Sequence, residues 1–204
     1  MPPWSTNSDI LKKMNNTPIL KEAFLRGTKI LDELNIPYIL CGGTLLGLYR
    51  EGQLLGHDGD VDVDVLFENV GYPEEFLKKL ESKVSPQQGK VTYRPNYFTI
   101  TYEDIAENEV KFDIFVLFKS KDTRYRHFPS DTDGGIYLTW SNSHYQNQEE
   151  IEFEGKKYKI PGDTEGWLVT FFGEDWKVPK PVWNWIQDSK NKKTYEEFIS
   201  EIHK

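Results

Sequence analysis

Apolar positions recur at helical spacing over residues 18–35, where Leu20, Phe24, Leu31 and Leu34 share one face and Lys21, Lys29 and Glu33 lie elsewhere. Proline is tolerated in a first helical turn, so Pro18 marks the start of this helix, and Ser8 or Asp9 caps a shorter one before it. After Pro37 the apolar residues 38–41 predict a short buried strand, and residues 44–49 a short helix opening at the glycine turn Gly42-Gly43. From Val61 to Phe67 the spacing changes to two, which predicts a strand with valine on one face. A helix over 73–83 turns Phe76, Leu77 and Leu80 inward. A meander follows over 90–93, 97–102 and 110–118, with Phe98, Ile100 and Tyr102 alternating with threonines in its second strand. Residues 121–135, rich in Arg, Asp and Gly, predict an exposed loop or flap, with Arg124, Arg126 and His127 either solvated or within reach of an anionic substrate. Beyond it the pattern predicts a strand over 136–140 and a hairpin of 151–153 with 158–160, turning at Glu154-Gly155-Lys156. A helix over 165–172, capped by Asp163 or Thr164 and stopped by Gly173, precedes an amphipathic helix over 194–203. Trp176, Trp183 and Trp185 stand among prolines; they are expected to pack a coil onto the core, with stacking on a sugar as the alternative. The sum is an α+β chain, a mixed sheet flanked by helices. It reads as one domain over 1–204, with a core of about 18–180 and a Trp/Pro-rich extension over 177–204.

Composition narrows the function. The 204 residues carry a net charge of −8, which argues against a broad basic face for nucleic acid. The single cysteine, Cys41, excludes an internal disulfide and reads as a buried structural thiol rather than a nucleophile. The first residues lack the basic and apolar regions of a signal peptide, and no apolar run approaches the roughly twenty residues of a membrane span. The expected location is therefore cytoplasmic.

The chemistry concentrates in residues 40–66. Asp58, Asp60, Asp62 and Asp64 occupy every second position. In a strand, the last three share one face, and like charges so crowded repel. A divalent ion with oxygen ligands is the natural counterpart, Mg²⁺ or Mn²⁺. Two other readings compete. An edge strand kept soluble by its aspartates is one. A calcium-binding EF-hand loop is the other, and it fails because Val63 and Asn69 stand where that loop needs Gly and Glu. The upstream turn favours catalysis. Backbone N–H groups at a helix start cradle phosphate, through Gly43 and Thr44 here. Arg50, at the end of that helix, either grips a diphosphate oxygen or forms a surface ion pair. Asp113, alone in an apolar strand, is costly unless paired or metal-bound, which makes it the candidate third carboxylate or else a partner of Lys111 or a loop. Asp64, deepest along its strand, is the aspartate least needed. His57 is a packing or substrate-contact residue, a ligand or a base.

The run Gly43-Thr44-Leu45-Leu46-Gly47, Arg50 and His57-Asp58-Gly59-Asp60-Val61-Asp62-Val63 resembles the signature of the LicD/fukutin-type phosphotransferases. Phe112-Asp113-Ile114-Phe115 and the segment from Trp167 through Phe172-Gly173-Glu174-Asp175-Trp176 to Pro179 resemble later pieces of the same family. His57 replaces a usual tryptophan, and Gly59 a frequent aspartate. The resemblance implies a nucleotidyltransferase-like fold. It also implies metal-dependent transfer of a phospho-alcohol, such as phosphocholine or ribitol phosphate, from a CDP-linked donor to a sugar hydroxyl of a glycan. On that reading Asp60, Asp62 and Asp113 bind Mg²⁺ with Asp58 assisting, Gly43 and Thr44 hold a phosphate, and Arg50 neutralises the leaving nucleotide. Asp113 or Asp58 takes the hydroxyl proton. The rivals are a nucleotidyltransferase that attaches NMP and releases pyrophosphate, and a non-catalytic metal- or glycan-binding module.

Overall fold

The computed structural model describes residues 17–105, 109–130, 134–180 and 183–203; the helix cap expected at Ser8 or Asp9 lies outside them. Helix α1 (Thr17–Glu33) leads to strand β1 (Ile39–Leu40), helix α2 (Gly42–Glu51) and strand β2 (Asp60–Leu66). A crossover follows, made of α3 (Phe67–Val70), α4 (Pro73–Glu81), β3 (Gly89–Arg94) and β4 (Tyr97–Tyr102). Strand β5 (Val110–Ser120) then pairs parallel to β2 and antiparallel to β4. Among the described residues β2–β5 is the one parallel pairing, and such a pair requires a long crossover like this one. The sheet continues through β6 (Thr123–Phe128), β7 (Ile136–Ser141) and β10 (Lys192–Lys193).

The core lies on the valine side of β2. Val61, Val63, Val65, Phe112 and Ile114 are buried there against α1. Gly27 lets the helix sit directly on the Phe112 ring, because a Cβ at that position would lie 2.2 Å from it. Full burial of each such side chain contributes about 1.5–3 kcal/mol. The opposite face of β2 and β5 is thereby left open for polar side chains.

The remaining elements close the ends. A short 3₁₀ turn (Asn142–Tyr145) precedes the hairpin β8 (Glu149–Phe153) and β9 (Lys156–Ile160). Its turn residues Glu154 and Gly155 both have positive φ, 50° and 73°, as a tight two-residue hairpin requires. Helix α5 (Thr164–Phe172) is capped by Asp163, whose carboxylate accepts the Gly166 N–H. Helices α6 (Trp185–Asp188) and α7 (Tyr195–Ile202) end the chain, α7 starting at a capping box of Thr194 and Glu197.

One expected segment differs. Residues 123–128 form strand β6, not an exposed flap. Arg124 and Arg126 point inward at 6 % and 3 % exposure. Arg124 grips Glu68 with two nitrogens, at 2.9 and 2.6 Å, and its Nε donates to Asn142. Arg126 places Nε and Nη2 2.9 and 2.6 Å from Asp64 Oδ1. Neither arginine is solvated. His127 stacks on Tyr137 at 4.3 Å.

Candidate active site

The parallel register sets Asp62 beside Asp113 and Asp60 beside Lys111. Side chains alternate in step along both strands, so Asp60, Asp62 and Asp113 emerge on one face. One carboxylate oxygen from each lies within 4.8 Å of the others. They line a cleft of about 680 Å³.

The start of α2 abuts them. Gly42 has φ +54°, and a Cβ there would fall 2.2 Å from Asp62 Oδ2. A Cβ on Gly43 would fall 2.1 Å from Asp58 Oδ2. Only glycine lets the carboxylates come this close. The Gly43 N–H donates to Asp62 Oδ2 at 3.1 Å, and the Thr44 hydroxyl accepts the Asp62 N–H at 2.8 Å. Both residues expected at a phosphate are thus engaged with Asp62. Gly43 lines the cleft, whereas Thr44 is buried and fastens β2 to α2.

Asp58 also lines the cleft, with Oδ1 accepting the Gly59 N–H at 3.0 Å. His57 stands exposed at the cleft edge. Asp113 accepts the Thr99 hydroxyl at 2.5 Å, a partner one strand over rather than Lys111. Burial pushes Asp113 up to about 6, a rise the Thr99 hydrogen bond opposes and the charge of Asp60 reinforces. Asp62 is pushed well above the carboxylate range, first by burial and then by the charges of Asp60, Asp58 and Asp113. Crowded, partly buried carboxylates with few donors around them are a hard oxygen set, and a small divalent cation would relieve their repulsion.

Asp64 stands apart from this set. It is fully buried, ion-paired to Arg126, and accepts the Tyr145 hydroxyl at 3.4 Å, which in turn accepts the Trp167 indole N–H at 2.8 Å. Arg50 lines the cleft with its guanidinium held by Glu51 (3.1 and 2.5 Å) and by the Trp176 carbonyl (2.9 Å). Trp176 is buried, Trp183 packs on Phe171 and Phe172, and Trp185 packs on Phe128; all three also line the cleft. Sequence reasoning did not anticipate the Thr99 hydroxyl on Asp113 or the aromatic side chains of β4–β6 in this cleft; Arg126, expected either solvated or within reach of an anionic substrate, lines the cleft bound to Asp64. The alternation of Thr99 and Thr101 with Phe98 and Ile100 was the available signal for the first.

The chain is similar to several known proteins. Residues 35–163 match the family model described as LicD/FKTN/FKRP, nucleotidyltransferase domain. Over 179 residues the chain is 22% identical to ribitol-5-phosphate transferase FKTN of Macaca fascicularis and of Homo sapiens, and 23% identical to that of Mus musculus. The match covers 84% of this chain and 36% of each relative, so the chain spans about a third of their length. Among solved structures, the antibiotic-resistance factor ANT(2'')-Ia in solution aligns at a TM-score of 0.46 and 18% identity, covering 84% of this chain and 78% of that one. A putative nucleotidyltransferase from Thermotoga maritima aligns at 0.37 and 15% identity, covering 72% and 83%.

Proposed function

The chain belongs to the LicD/FKTN/FKRP family of nucleotidyltransferase domains, and we propose that it transfers a phospho-alcohol, ribitol phosphate or phosphocholine in kind, from a CDP-linked donor to a sugar hydroxyl of a glycan. The observation that carries this reading is the convergence of Asp60, Asp62 and Asp113 within 4.8 Å beside the glycine turn. Phosphoryl transfer depends on positioning and on charge stabilisation more than on covalent chemistry, and this cleft is equipped for both.

Asp60, Asp62 and Asp113 would hold a divalent ion, Mg²⁺ or Mn²⁺, with Asp58 beside them. Such an ion, when bound, neutralises and aligns the donor diphosphate. The chain's own residues do the rest. Gly43 aims Asp62 through its N–H, and Thr44 fixes the strand that carries it. The start of α2 presents its positive end to the same place. Arg50, held flat by Glu51 and the Trp176 carbonyl, adds positive charge to the wall where the nucleotide leaves. Asp113 or Asp58 would accept the proton of the attacking hydroxyl.

Thermal shift with CDP-ribitol, CDP-choline, CDP-glycerol and CTP, each with and without Mg²⁺, tests the reading. A CDP-alcohol should raise the melting temperature, chelation should abolish the rise, and Asp62→Asn should lose it while remaining folded. Turnover should release CMP. Release of pyrophosphate from CTP would replace this reading with nucleotidyl transfer. Absence of any metal-dependent nucleotide binding would overturn both.

A further inference from the structure

The cleft has two unlike walls with the carboxylates between them. One is the face of α2, where Gly43, Leu46 and Arg50 lie at helical spacing beside the site proposed for the diphosphate. The other is made of side-chain rings. Tyr97, Phe115, Phe128 and Trp185 come from β4, β5, β6 and α6, and all four line the cleft half-buried. Phe115 follows Asp113 by two residues on one strand face, so this wall begins where the carboxylates end. The rings are contiguous: Tyr97 to Phe115 at 5.6 Å, Phe115 to Phe128 at 6.1 Å, Phe128 to Trp185 at 4.6 Å. They meet at 31°, 68° and 42°, which makes a concave basin and not a parallel slot.

We propose that this aromatic basin is the acceptor subsite, and that it takes an uncharged sugar ring whose hydroxyl then points at Asp113. The inference rests on the transferase reading for the word acceptor, but the binding claim stands on the basin itself. Two observations select the occupant. First, charge: Arg126 and Lys180, which line the cleft, are already paired with Asp64 and Asp175, and Arg50 stands on the other wall. An acidic ring on this wall would face Asp60, Asp62 and Asp113 with those cations committed elsewhere. Second, edges: a nucleobase is read by hydrogen-bonding groups around its rim, and two of the acceptor oxygens on this wall are already taken. The Tyr97 hydroxyl accepts from Arg94 at 2.7 Å, and Asn184 Oδ1 accepts the N–H groups of Ile186 and Gln187. What the wall offers is ring surface, which suits the apolar face of a neutral sugar.

The test is equilibrium binding to the metal-free protein, with no donor present. The probes are neutral methyl hexopyranosides, the corresponding uronates and cytidine, followed by ligand-observed NMR and by the indole N–H signals of protein labelled at tryptophan. A neutral glycoside should bind, shift the Trp185 indole signal, and bind about ten-fold more weakly to Trp185→Ala, as expected for losing one stacked ring. The uronate should bind more weakly than its neutral parent. Should Trp185→Ala fail to fold, the wild-type indole shift decides alone. Binding of no glycoside, a glycoside that leaves Trp185 unmoved, or displacement by cytidine would each overturn the proposal. The transferase reading is judged separately by metal-dependent binding of a CDP-alcohol, so either can fail without the other.

Discussion

Arg126→Met isolates the buried ion pair behind the aspartate cluster. Methionine keeps the apolar stem that lies against Phe115 and Trp140, whose ring centres are 4.2 and 5.1 Å from the guanidinium carbon. It removes the charge and leaves Asp64 unpaired at 0 % exposure. Removing one partner of a buried pair costs about 3–5 kcal/mol, because the other charge is stranded. For a chain of 204 residues, where each kcal/mol moves the melting temperature by about 2–4 °C, the fall should be roughly 6–20 °C. The loss should depend on pH. A stranded Asp64 binds its proton more tightly folded than unfolded, so its penalty is absent at low pH and grows as pH rises. Arg126→Met should therefore cost less at pH 5 than at pH 8. The neutral double variant Asp64→Asn/Arg126→Met should recover about 2 kcal/mol over the single variant, measured by urea unfolding in a double-mutant cycle. A single-variant cost below about 1 kcal/mol, or a double variant no more stable than Arg126→Met, would refute the reasoning.

Gly42→Ala places a Cβ 2.2 Å from Asp62 Oδ2 at φ +54°, so Asp62 must turn away; Mg²⁺ should then bind about ten-fold more weakly or worse by calorimetry. Asp113, raised to about 6 from an ordinary 3.8, makes the metal-free protein lose stability as pH climbs between those values, because the folded state holds the proton more tightly. Asp113→Asn should remove that part of the decline, so that melting curves without metal diverge in its favour above pH 6. Asp163→Ala removes the cap on the Gly166 N–H (3.0 Å) and the contact to His144 (2.9 Å); urea unfolding should show a cost of about 1 kcal/mol, most of it restored in Asp163→Asn.

The acidic strand and its partner were legible because their signals are local. Val61, Val63 and Val65 alternate with aspartates, and Phe112 and Ile114 flank Asp113, so period two alone assigned the faces. The cap of α5, narrowed to Asp163 or Thr164, and the stop at Gly173 were equally readable because each is settled within a few residues. Strand β6 was not. Its inward residues are Arg124 and Arg126, and its outward ones include Tyr125 and His127, the reverse of the usual polarity. The partners that make such burial tolerable, Glu68 and Asp64, lie far away in sequence. Helix α3 and strand β10 are too short to carry a period. The engagement of Thr44 with the Asp62 backbone depends on how α2 docks beside β2, which no local pattern encodes.

The crossover between β2 and β5 has a consequence for the order of assembly. A ribosome that has released only the first hundred residues has delivered Asp60 and Asp62 but not the segment holding Asp113. Closing that distant seam is an entropic cost borne before any third ligand arrives. The cation affinity proposed for this site would thus be a property of the finished sheet and would not seed it. Added Mg²⁺ should leave the refolding rate nearly unchanged and slow the unfolding rate instead.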